Sequence, residues 1–107
     1  MEDCLFCNIV NGKTDTKLLV DNEVLAVFKD INPKAPIHLL LVPKKHIASV
    51  NNLTEEDSKI ISDLILQAKK TAKDFSTENG YKLIFHIGER GGQVIDHIHL
   101  HLLGGFQ

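Results

Sequence analysis

The sequence predicts an α+β fold: an antiparallel sheet of about five strands, one long helix and one short N-terminal helix. Three observations carry that expectation. The chain closes on His97-Ile98-His99-Leu100-His101-Leu102-Leu103, where histidine alternates with apolar residues at the period of a half-buried strand. Apolar residues from Ile60 to Phe75 recur at spacings of three and four, the period of an amphipathic helix. Breakers between the periodic segments leave mostly short connections, which favour antiparallel pairing.

The elements follow in order. Residues 4–10 predict a short helix stopped by Asn11-Gly12. Leu18–Val20 and Val24–Phe28 read as strands around an Asp21-Asn22 turn, a hairpin. Asn32-Pro33 and Ala35-Pro36 interrupt the chain twice and give a loop. His38–Val42 is a nearly continuous apolar run, expected to be buried on both faces, with Pro43 ending it. Thr54 is a good N-cap, with Glu55, Glu56 and Asp57 in the positive first turn of the long helix. Its stripe of Ile60, Ile61, Leu64, Ile65, Ala68, Ala72 and Phe75 should pack on the sheet, and the helix should run to about Thr77, before Asn79-Gly80. Tyr81–Ile87 is the next expected strand and His97–Leu103 the last.

At 107 residues the chain is expected to form one domain, spanning 1–107, with one core. A net charge of −2 provides no global field for nucleic acid polymers or anionic membranes, so a phosphate ligand must be held by a local site. No apolar run approaches the ~18 residues of a membrane span. Met1-Glu2-Asp3 is acidic and lacks a signal-peptide pattern, so the expected compartment is the cytoplasm, with thiols reduced unless metal-bound.

His97, His99 and His101 should leave one face of their strand, and Ile98, Leu100 and Leu102 the other. Imidazole can serve as base, acid, nucleophile or metal ligand near neutral pH. Same-face neighbours sit roughly 6.6 Å apart and the outer pair about 13 Å. Two adjacent members can chelate one metal, but three cannot easily share it, which points to divided labour. Just upstream, Gly91-Gly92-Gln93 lets backbone approach a ligand and turn amides outward, which suits an anion. The only two cysteines, Cys4 and Cys7, have metal-ligand spacing but make half a tetrahedral site; buried packing or a redox pair would account for them equally.

The run from His97 to Leu103 resembles the His-φ-His-φ-His-φ-φ signature (φ apolar) of the histidine triad, or HIT, nucleotide-binding proteins. Phe28-Lys29-Asp30-Ile31-Asn32-Pro33-Lys34-Ala35-Pro36-Ile37-His38 is similar to that family's Phe-x-Asp-Ile-x-Pro-x-Ala-Pro-x-His segment. Leu41-Val42-Pro43-Lys44-Lys45-His46 is similar to its φ-φ-Pro-Lys-x-His segment. Together these cover essentially the whole chain, and with the ending Leu103-Gly104-Gly105 they resemble the Hint-like branch most.

The resemblance implies a HIT-like fold, a homodimer with its sheet continued across a two-fold axis, and a purine nucleotide or nucleotide conjugate as partner. It implies a structural zinc held by Cys4, Cys7, His46 and His97, as in zinc-containing bacterial members. It leaves His99 as the nucleophile toward the α-phosphate of a nucleoside phosphoramidate, through a nucleotidyl-histidine intermediate, with His101 and His38 assisting. A neutral imidazole suits that attack when its other nitrogen keeps a held proton. His101, the Gln93 side chain and the Gly92 and Gln93 amides are candidates to meet the developing charge. Phe6, Ile9, Phe28, Ile31 and Leu40 would sandwich the base, and Asp30 would accept from the ribose hydroxyls. Two positions near the phosphate depart from the family pattern: His86 stands where Asn is common, and Val94 where a polar residue often follows the Gln. The alternatives are a nucleotide-binding adaptor with vestigial catalysis, a dinucleoside polyphosphate hydrolase and a nucleotidyltransferase.

Overall fold

The computed structural model describes residues 3–107. Helix α1 (Leu5–Val10) is followed by strands β1 (Val20–Asp21), β2 (Leu25–Lys29) and β3 (Ile37–Pro43). Helix α2 (Ser58–Asp74) and strands β4 (Lys82–Ile84) and β5 (Leu100–Gly104) complete the regular elements. The five strands form one antiparallel sheet in the order β1-β2-β3-β5-β4. The last strand is inserted between β3 and β4, so the histidine-bearing strand lies inside the sheet.

Alternation along the strands divides two cores. On one face Ala26, Phe28, Leu40 and Val42 pack with Phe6, Ile9 and Val10 of α1. On the other, Leu25, Val27, Leu39, Leu41, Leu100 and Leu102 pack with Leu64, Ala68 and Ala72 of α2. All of β3 after Ile37 is buried, as its unbroken apolar run requires. His38, by alternation, lies on the α1 face with Leu40.

Several boundaries differ from expectation for local reasons. The β1–β2 turn falls on Asn22, Glu23 and Val24, because the Asn22 carboxamide accepts the amides of Val24 and Leu25 at 2.9 and 3.0 Å. Helix α2 is preceded by a 3₁₀ turn, Glu55–Asp57, in which Thr54 and Asp57 make a capping box. It ends at Asp74 rather than near Thr77. Ser76 takes the left-handed conformation (φ 58°), and the Ser76 and Thr77 amides bond back to the Lys73 and Ala72 carbonyls at 2.9 Å each. That is a Schellman stop with serine in glycine's usual place. Ile65 of the expected stripe is exposed and Ile60 only half-buried.

The predicted strand Tyr81–Ile87 is paired only over Lys82–Ile84, and the predicted strand His97–Leu103 begins at Leu100. Residues 97–99 spend their bonds elsewhere: the His97 amide on the Ile95 carbonyl at 2.9 Å, and the Ile98 amide on the Ile47 carbonyl at 2.6 Å. Residues 85–87 therefore have no ladder partner, and the sheet opens beside the histidines.

The Gly104-Gly105 ending is a packing requirement. The Thr77 hydroxyl accepts the Gly105 amide at 2.9 Å and donates to the Gly80 carbonyl at 3.1 Å. A Cβ on Gly104 would lie 2.5 Å from that Thr77 oxygen. Gly104→Ala is expected to destabilise the fold by about 1–3 kcal/mol, because the overlap can be relieved only by moving backbone on one side. Denaturant unfolding of the variant measures it.

Candidate functional site

The α1 face of the sheet, opened where β4 leaves β5, carries a cleft of about 590 Å³. One wall is apolar: Phe6, Ile9, Phe28 and Leu40, with the 90% exposed Ile31 at the rim. Phe6 stands edge-on to both Phe28 and the His99 ring, at 5.7 and 4.9 Å between centroids. Asp30, His38, His86, His99 and His101 add the polar groups, and Gly92 and Val94 border the opposite side. Ile84 and Leu103 complete the floor. Alternation could have found Leu103, since it is two residues from His101 on β5.

The triad histidines have separate surroundings. His99 is buried, and its Nδ1 lies 2.7 Å from the His97 carbonyl oxygen. A carbonyl only accepts, so Nδ1 carries the proton and Nε2 keeps its lone pair. Burial lowers the His99 pKa against the opposing pull of that bond, which keeps the ring neutral.

His38 and His101 form a directed chain. The Lys34 amide donates to His38 Nδ1 at 3.0 Å, so the His38 proton is on Nε2. That nitrogen is 2.9 Å from His101 Nδ1 and 3.3 Å from Asp30 Oδ2. His101 Nδ1 therefore accepts, and its own proton is on Nε2, a buried nitrogen with no hydrogen-bond partner among the described residues. Burial first, then the neighbouring His99, His86 and His38, hold the His101 pKa down at about 4. The result is a neutral ring with one unused N–H donor.

Among the described residues, two groups of side chains bring enough donor atoms together to hold a metal, and the tautomers separate them. Asp30, His38 and His101 are one such group. Ligation through His38 Nε2 would force its proton onto Nδ1, against the Lys34 N–H, so this group is wired for hydrogen bonding. Cys4, Cys7, His46 and His97 are the other, with all ligand atoms within 4.8 Å of one another. His97 Nε2 donates to the Pro43 carbonyl at 2.9 Å, which leaves Nδ1 as a ligand. Nδ1 of His97 lies 3.4 Å from each thiol sulfur and 3.2 Å from His46 Nδ1, and Cys7 Sγ lies 3.2 Å from His46 Nδ1. Tetrahedral zinc needs about 3.4 Å between two nitrogens and about 3.6 Å between nitrogen and sulfur. The donor set fits such an ion with little movement. Burial, and then the Cys4 thiol beside it, push the Cys7 pKa up to about 11, so the Cys7 thiol holds its proton until a cation displaces it.

The loop that presents His46 is itself anchored: the Lys45 ammonium contacts Asp57 at 2.6 Å. That ion pair and the Thr54 amide hold the Asp57 carboxyl below the usual range. The N-terminal cap of α2 and the loop that carries His46 are thereby joined.

One predicted site residue lies elsewhere. Gln93 is buried in its own loop: its carboxamide oxygen accepts the Gly88 amide, and its nitrogen donates to the Ala48 and Ile95 carbonyls at 2.7 and 2.9 Å. The Gly92 and Gln93 amides bond to the Glu89 and Gly88 carbonyls. Gln93 therefore shapes the glycine loop and leaves no donor for a ligand. Among the described residues, the Val94 amide makes no hydrogen bond within the chain, and Val94 is 86% exposed at the cleft edge. The backbone groups that fix the histidine tautomers (the Lys34 amide and the Pro43 and His97 carbonyls) had no signal in the sequence.

A family model described as scavenger mRNA decapping enzyme C-term binding matches residues 3–106. An uncharacterized HIT-like protein of Synechocystis is 36% identical over 97% of this chain and 91% of its own length. The crystal structure of a HIT family hydrolase from Legionella pneumophila superposes with a TM-score of 0.95 at 42% identity, covering 98% of this chain and 95% of that one. A HIT family hydrolase from Clostridium thermocellum gives 0.95 at 40% identity, covering 100% and 94%.

Proposed function

The chain belongs to the histidine triad family, and from that premise we propose that it is a purine nucleotide-binding hydrolase that cleaves nucleoside phosphoramidates or related nucleotide conjugates. The observation that carries this reading is the tautomer of His99. With Nδ1–H tied to the His97 carbonyl at 2.7 Å, the Nε2 lone pair is free beside the unused N–H of His101. A nucleophile and a donor for developing charge then stand side by side.

In this mechanism the base lies against Phe6, Ile9, Phe28 and Leu40, under Ile31. Asp30 already accepts the Asn32 amide at 2.8 Å through Oδ1 and keeps further lone pairs for the ribose hydroxyls. His99 Nε2 attacks the α-phosphorus, and the bond to the leaving group breaks with its electron pair on the departing atom. The His101 Nε2–H and the Val94 amide meet the charge on the phosphoryl oxygens, and Gly92 lets the backbone come close. Water then cleaves the nucleotidyl–histidine bond and frees His99.

Cys4, Cys7, His46 and His97 would hold one structural zinc, whose four protein ligands leave no open position for Lewis-acid chemistry. Its ligands join α1, the loop after β3 and the entry to β5, a staple suited to a small core. The homodimer and a cytoplasmic location belong to the same proposal. Among the described residues no helix is long and apolar enough to cross a membrane.

The test is turnover of adenosine monophosphate linked to a simple amine, followed against pH. His99 and His101 must be neutral to attack and to donate by this chain. Burial depresses both, His101 to about 4. Activity should therefore persist as pH falls through 6.5, about the ordinary histidine value, and be lost only below it. An acid limb at or above that value, or no release of adenosine monophosphate, would refute the reading.

A further inference from the structure

Asp30 touches two parts of the site at once. Its Oδ1 accepts the Asn32 amide at 2.8 Å, which fixes the carboxylate in the turn after β2. Its Oδ2 lies 3.3 Å from His38 Nε2, the same nitrogen that donates to His101 Nδ1 at 2.9 Å. The carboxylate is half-buried and lines the cleft beside the apolar wall. Among the described residues no ammonium or guanidinium group pairs with Asp30, and its charge is left facing the imidazoles.

Two acceptors thus stand at one N–H. A carboxylate beside a donor draws on its proton. What it draws is lost to His101, because hydrogen bonds in a chain polarise one another. The His101 Nε2–H, buried and without a partner among the described residues, is the far end of that chain. The weaker the bond received at Nδ1, the weaker a donor Nε2–H becomes. The Asp30 charge works in the same direction, since it opposes the burial that holds the His101 pKa down. A ligand that occupies Oδ2 with donors of its own therefore strengthens the far end.

Resting on the hydrolase reading above, we infer that the ribose hydroxyls act on turnover through Asp30: by donating to Oδ2 they release the His38 N–H to His101, whose Nε2–H then donates more strongly to the phosphoryl oxygens. Asp30 is in this respect a positioning residue, acting through His38 and His101. A site holding a nucleotide without those hydroxyls keeps the weaker donor. Specificity follows: ribonucleotide conjugates are separated from their deoxy counterparts by turnover as well as by affinity.

The experiment compares wild type, Asp30→Ala and His38→Phe on two probes, adenosine monophosphate linked to benzylamine and its 2′,3′-dideoxy counterpart. In wild type the dideoxy probe should show a higher KM and a kcat about tenfold lower, the rate equivalent of about 1.4 kcal/mol. His38→Phe keeps a ring of similar size but has no N–H to share. It should bring the two kcat values within about twofold while the KM difference stays. Asp30→Ala should erase both differences. A second measurement needs no turnover and decides alone should His38→Phe not fold. In nitrogen-15 NMR of histidine-labelled wild type, saturating adenosine should shift the His101 Nδ1 resonance further than saturating 2′,3′-dideoxyadenosine does, and Asp30→Ala should remove the difference. Equal kcat values in wild type, a kcat contrast that survives in His38→Phe, or equal shifts with the two nucleosides would overturn the coupling and leave the hydrolase reading standing. Wild type that turns over neither probe yet gives the shift contrast would overturn the hydrolase reading and retain the coupling.

Discussion

Replacing His99 with alanine should lower phosphoramidate turnover by at least about a thousandfold while leaving affinity for adenosine monophosphate within about threefold of wild type. The asymmetry follows from what the imidazole does. It would bond to phosphorus in the transition state but add little to ground-state binding of the nucleotide; in the free protein its ring packs edge-on with Phe6, 4.9 Å between centroids. The apolar wall and Asp30, which would carry the nucleoside, are untouched. Steady-state kinetics with calorimetric binding separates the two quantities. Turnover within tenfold of wild type would remove His99 from the role of nucleophile.

Loss of the metal set should have the largest effect on stability. Purified protein is expected to carry about one zinc per chain, and Cys7→Ala to lose it together with more than about 3 kcal/mol of stability, since metal affinity is expressed as folding free energy. The four side chains come from the cap and third residue of α1, the loop after β3 and the approach to β5, so one ion held by them would crosslink segments up to 93 residues apart. The turnover of protein that remains folded should fall less than its stability. It should still fall, because the His97 side chain is a ligand while the His97 carbonyl orients His99. Metal analysis with thermal unfolding checks this. Metal-free protein with an unchanged melting temperature would return the cysteines to core packing.

The two cysteines illustrate what spacing alone conveys. Cys-x-x-Cys placed two thiols on one helical turn, yet it did not distinguish a metal from packing. The Nδ1–Nδ1 approach of 3.2 Å between His46 and His97 brings the other half of the donor set to them. Gln93 shows the opposite failure. Its place after two glycines suggested a ligand donor, whereas a buried carboxamide must satisfy three hydrogen bonds, and the nearest partners were carbonyls and an amide of its own surroundings.

The family resemblance pointed to the apolar wall of the cleft, and the sequence by itself determined the fold class and the alternation that puts His97, His99 and His101 on one face. These depend on period and residue type, which are local. Tertiary structure alone decided which nitrogen of each histidine holds the proton, where the sheet opens, and that Ser76 rather than a glycine ends α2. Those outcomes depend on backbone amides and carbonyls from distant segments: Lys34 on His38, Pro43 on His97, Ile47 on Ile98. Every residue carries the same amide and carbonyl, so their partners are settled by packing in three dimensions and leave no mark in the order of side chains.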